Sequence, residues 1–179
     1  LYKGAAKQEE ESKENIKKID KPVDVFSETE QQKIRQLIQE LDKTNGLKNN
    51  RLSLILKLLM FHGVRISELC GLTWDFVSTE YDDIHGEIYK FSYIGKGNKI
   101  RELDFPILFI QSNLDVIRNS LMSNYVIPSL SGNISTRENI YTTVKLHLEK
   151  IGIKNVYLHK FRHTFGQSQV NNGVNITTI

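Results

Sequence analysis

The sequence predicts a mainly α-helical domain carrying a small three-stranded antiparallel β-sheet, and three observations predict it. Apolar residues recur at intervals of three and four through most of the chain after residue 25. Between residues 74 and 106 that spacing gives way to short runs of β-branched and aromatic residues. A Gly95-Lys96-Gly97-Asn98 turn joins two of those runs.

Each element follows from a local signal. Ser27 followed by Glu30 reads as a capping box, with Phe26 available as a staple residue, and Ile34, Leu37, Ile38 and Leu41 continue at helical spacing. Asn45-Gly46 ends that helix. A second is expected over residues 50–62, stopped by Gly63, and a short third over residues 67–72. Ile88, Tyr89, Phe91, Tyr93 and Ile94 predict a strand, and residues 100–105 alternate as its partner. Residues 74–77 are the candidate third strand. Helices resume over residues 107–123, 135–151 and 158–172. The last is ended by Gly173, and Asn175 is placed to cap a further helix from Ile176.

Residues 1–24 hold six lysines and six acidic residues with few apolar ones, so they read as a linker or disordered tail rather than a domain. Residues 25–179 form the single predicted domain, of a size that supports a sizeable core. No apolar run reaches the roughly 20 residues needed to span a bilayer, the longest being interrupted by Lys57. The one cysteine, Cys70, has no partner within the chain for a disulfide, which makes the cytoplasm the expected location. A net charge of +3 and a pI near 8.9 are compatible with a nucleic-acid partner without requiring one.

Three short stretches carry chemistry. Arg65 follows Gly63 in the loop feeding a helix opened by Ser67, where a guanidinium can meet a phosphate. A plain ion pair with Glu68 is the alternative. Lys96 sits between glycines at a hairpin tip, with Lys99 and Arg101 adding charge nearby; such tips are also often merely solvated. His159 and Arg162, three apart in a helix, share a face and can touch one anion. His163 is either a structural histidine or a polar neighbour of that site, while Phe161 and Phe165 point towards the core. The histidines at 62, 85, 147 and 159 are too dispersed to suggest a metal site, and no cofactor is expected.

Together these stretches resemble the tyrosine recombinase and phage integrase family. Gly63-Val64-Arg65-Ile66-Ser67-Glu68-Leu69-Cys70-Gly71-Leu72-Thr73-Trp74 is similar to its first-arginine motif. Gly95-Lys96-Gly97-Asn98-Lys99-Ile100-Arg101 resembles its lysine-bearing hairpin, and His159-Lys160-Phe161-Arg162-His163-Thr164-Phe165 its His-x-x-Arg motif, continued at Asn172-Gly173-Val174. The resemblance implies the catalytic-domain fold of that family and DNA strand exchange through a 3′-phosphotyrosyl bond, for integration or excision of a phage or mobile element. Arg65 and Arg162 would clamp the scissile phosphate, Lys96 would protonate the leaving 5′ oxygen, and His159 would bind phosphate and assist the nucleophile. Lys99 is a poorer match to the family lysine than Lys96, and Glu68 would support Arg65.

The family pattern ends in a nucleophilic tyrosine, yet none occurs among the 17 residues after Arg162. Tyr125, Tyr141 and Tyr157 occupy no matching position. The sequence is therefore expected to be a C-terminally incomplete catalytic domain, inactive alone in cleavage. The resemblance further implies double-stranded DNA as partner and a homotetramer when full length, the fragment itself being monomeric. A non-catalytic DNA-binding relative is the competing reading, separated from the enzyme by the presence of a downstream tyrosine. A structural helical domain, the third, predicts no salt-dependent DNA binding.

Overall fold

The computed structural model describes residues 23–94, 97 and 99–173. Six helices and a three-stranded sheet follow in the order α1 (Glu28–Asp42), α2 (Leu47–His62), α3 (Ile66–Cys70), β1 (Val77–Asp82), β2 (Gly86–Ile94), β3 (Ile100–Pro106), α4 (Ile107–Ser120), α5 (Arg137–Lys150) and α6 (Leu158–Asn171). The predicted class holds. Most of residues 1–24, the tail reading, and the expected helix from Ile176 lie outside the described residues.

The first helix starts where its signal placed it. Ser27 Oγ accepts from the Glu30 amide at 3.2 Å, and Glu30 returns a carboxylate to the Ser27 amide at 2.8 Å. The staple is absent, because the residue a full turn on, Gln31, is polar and binds the Phe26 carbonyl at 2.9 Å. Phe26 packs instead on Phe161 of α6, ring edge to ring face, with centroids 4.8 Å apart.

Helix α2 runs through the middle of the molecule, with α1, α4, α5 and α6 packed around it. Eleven consecutive residues, 50–60, are buried on all sides, as a helix apolar around its circumference must be. Its polar members are satisfied internally. Lys57 Nζ meets Asp42 at 2.9 Å, Asn113 Oδ1 at 2.7 Å and the Phe109 carbonyl at 2.6 Å. Arg51 donates to the Pro128 carbonyl and to Ser135 Oγ.

The sheet is an antiparallel meander in the order β1-β2-β3. Its third strand corrects the sequence reading: Trp74–Phe76 is a 3-10 turn, and the strand is Val77–Asp82. Four central residues of β1 face solvent, so the strand carries no apolar alternation to betray it. Phe91, Leu103 and Phe105 turn the sheet's inner face towards the core.

Candidate active site

The chain reverses out of α2 at Gly63, whose φ of +56° is the left-handed conformation of a helix C-cap. A side chain there would also collide with α6, since a Cβ would lie 2.8 Å from Phe165 Cδ1. Arg65, two residues on, is the N-cap of α3. Glu68 holds it twice: one carboxylate oxygen accepts from the Arg65 amide and the other meets its guanidinium, each at 2.9 Å. Of the alternatives read from the sequence, the ion pair with Glu68 is formed, and it orients Arg65 while leaving it half-exposed.

Helix α6 brings its residues to the same place. Lys160, Phe161 and Thr164 are buried on one side of it, which turns Arg162 towards the α2–α3 junction. Arg162 Nη1 donates to the Gly63 carbonyl at 2.8 Å. Burial, and then the neighbouring charge of Arg65, pull the Arg162 guanidinium below its ordinary range, while Glu68 acts in the other direction. Two arginines distant in sequence thus meet one turn of chain, Arg162 through the Gly63 carbonyl and Arg65 two residues beyond it.

His159 lies in the first turn of α6, exposed, with its imidazole edge-on to His163 at 4.6 Å between centroids. Burial lowers its pKa, and the charges of His163, Arg162 and Arg65 lower it further. A neutral imidazole at physiological pH can accept a proton. His163 is half-buried between His159 and Tyr157, and its Nδ1 has no hydrogen-bond partner among the described residues.

The hairpin supplies the remaining members. Arg101 stands opposite Tyr93 across β2 and β3. The charge of Arg101 lowers the Arg162 pKa and Tyr93 acts in the other direction. Tyr93 is half-buried among these groups, and burial together with the Glu68 carboxylate raises its phenol above the usual range. It also lines a cavity of about 380 Å³ with Ser67, Glu68, Phe76, Ile94 and Ile100. Sequence reasoning placed Tyr93 only as a strand residue; its signal was the register opposite Arg101. Lys99 is exposed. Lys96, the expected general acid, lies outside the described residues. No group of acidic, histidine or cysteine side chains suited to a metal ion occurs among the described residues.

Comparison with known proteins bears on the family and the fold. The phage integrase family matches residues 28–179. The chain belongs to that family. Tyrosine recombinase XerC of Herpetosiphon aurantiacus is 27% identical over 145 residues, covering 76% of this chain and 44% of the relative. Tyrosine recombinase XerD of Shewanella oneidensis is 29% identical over 133 residues, covering 70% and 42%. This member of the family spans about half the length of the curated relatives it matches. Among solved structures, XerH recombinase bound to its difH substrate superposes with a TM-score of 0.69 at 20% identity, covering 84% of this chain and 44% of that one. XerA recombinase gives 0.65 at 24% identity, covering 88% and 52%. The fold is that of the tyrosine recombinase catalytic domain. No helix among the described residues is long and apolar enough to cross a membrane.

Proposed function

We propose that this chain carries the phosphate-binding part of a site-specific DNA recombinase, which cuts and rejoins strands through a 3′-phosphotyrosyl intermediate. One observation carries the reading: Arg162 of α6, the helix that also bears His159, is bonded to the Gly63 carbonyl two residues before Arg65, which pairs with Glu68. Paired guanidinium forks suit a phosphodiester, whose non-bridging oxygens gain charge in the pentacoordinate transition state.

In this reading Arg65 and Arg162 hold the scissile phosphate and Glu68 orients Arg65. Neutral His159 accepts the proton of the attacking hydroxyl, and Lys96 donates one to the departing 5′ oxygen. Lys99 and Arg101 hold the DNA backbone. The nucleophile is a tyrosine outside these 179 residues, which keeps the broken strand covalently bound so that its bond energy serves religation. No metal or cofactor is required. Double-stranded DNA is the partner, four protomers act on two duplexes, and the setting is the cytoplasm. Integration or excision of a phage or mobile element is the role we carry over from the motif resemblance.

The test is Arg162→Ala in the full-length protein. Covalent protein–DNA product on a nicked substrate should fall by about 10²–10³-fold, as on loss of one transition-state donor. Duplex affinity should change only a few-fold. Undiminished cleavage overturns the assignment, and binding without cleavage by the unmodified protein favours a non-catalytic relative.

A further inference from the structure

We propose that Arg101 binds a second backbone phosphate, adjacent to the scissile one on the same strand; this rests on the recombinase reading above. The argument begins with the sheet. Leu103 and Phe105 of β3 are buried, and alternation places Arg101 on their face, at the end of the row. Its cross-strand partner there is Tyr93, half-buried against the core. An arginine continuing a core-facing row is costly unless its head group emerges at a polar site. The site it reaches is that of Tyr93, which shares one cavity with Ser67 and Glu68 of α3, and Glu68 is the partner of Arg65.

Charge balance then asks for a second anion. Among the described residues, Arg65, Arg101 and Arg162 act together, and Glu68 is the carboxylate acting on Arg162. Glu68 is already committed to Arg65 through both oxygens. Arg162 is seated on the Gly63 carbonyl. Arg101 has no ion-pair partner among the described residues, and its chain neighbour Glu102 lies near Lys90, 3.7 Å away. One phosphodiester brings a single negative charge, leaving one cation of this group uncompensated in the ground state. Successive phosphates along a strand are close enough for a neighbouring one to supply the second charge. Arg65 and Arg162 are held by helices and Arg101 by the sheet, so the third guanidinium comes from a separate element.

The experiment pairs protein variants with neutral phosphates. Duplexes carrying one methylphosphonate, at the scissile position or at either neighbour, are bound to full-length protein, Arg101→Gln and Arg162→Ala. Gln keeps much of the stem, and a thermal melt of each variant verifies the fold. Neutralising one neighbouring phosphate should weaken unmodified protein about tenfold. The same change should leave Arg101→Gln almost unaffected, and that variant should lose about one from the slope of log affinity against log salt. Equal penalties in unmodified protein and Arg101→Gln at both neighbours, with an unchanged slope, overturn the proposal. Arg162→Ala reports separately on the underlying reading: it should lose sensitivity at the scissile position alone, and failure there removes the recombinase assignment itself.

Discussion

His62 ends α2 with its ring 3.8 Å from that of Phe105, and burial holds its pKa down to about 4 from an ordinary 6.5. The folded protein therefore resists protonating a group that the unfolded chain protonates readily. Stability from this source is complete above pH 6.5 and is lost progressively as pH falls towards 4, by up to about 3 kcal/mol. His62→Gln removes the titration, so its urea midpoint should fall less between pH 7 and pH 4.5 than that of the unmodified protein. Parallel pH dependences in the two proteins would show that His62 is not held neutral. Single residues were unevenly legible in the sequence. Glu68 was readable as the support of Arg65 because the two lie one helical turn apart. Tyr93 was not, since its role depends on a cross-strand partner eight residues away and on a helix beyond it. Lys57 showed as a break in an apolar run, and only its three polar partners reveal that it is buried.

Elements announce themselves when their signals are local. The capping box of α1, the glycine ending α2 and the turn-flanked strands β2 and β3 were all readable for that reason. The third strand was not, because β1 is held by backbone pairing to β2 and buries almost nothing of its own. The junction at Gly63 combines both kinds of information. Its glycine marks a helix end from sequence alone, but its packing against Phe165 and its hydrogen bond to Arg162 appear only in three dimensions. Gly63→Ala should therefore act twice. A left-handed alanine costs about 1 kcal/mol, and the new Cβ forces Phe165 and the start of the α2–α3 turn apart. A total loss of about 2–4 kcal/mol is expected by chemical denaturation, of the kind caused by overpacking. Under the recombinase proposal, cleavage by the full-length protein should fall further than stability explains, because the carbonyl seating Arg162 moves. A variant stable to within 0.5 kcal/mol, on the order of a neutral surface change, would mean that α6 does not lean on this glycine.

At the scale of the whole molecule, the first described residues close against α6, the last helix among the described residues. Phe26 is 1% exposed, its amide donates to Thr164 Oγ1 at 2.9 Å, and its ring lies under the Lys160 ammonium at 5.0 Å. Asp24 completes this strap with an ion pair to Lys160 at 3.0 Å, and its backbone carbonyl accepts from the Tyr157 hydroxyl at 3.3 Å. The sequence placed the start of the domain near Phe26 but pointed its ring at its own helix, since a contact spanning more than 130 residues leaves no local trace. The consequence is cooperative. Residues 24–26 brace the side of α6 opposite Arg162, so the strap and the arginine cluster share one rigid helix. Phe26→Ala should cost about 3–5 kcal/mol, the range for removing a buried aromatic ring. The loss should register equally in far-ultraviolet circular dichroism and in the fluorescence of Trp74, the only tryptophan, which stacks against Arg118 far along the chain from the strap. Coincident transitions shifted together would establish one cooperative unit. A Trp74 transition unchanged while the helical signal weakens would instead mean that the strap frays alone and α6 is positioned without it.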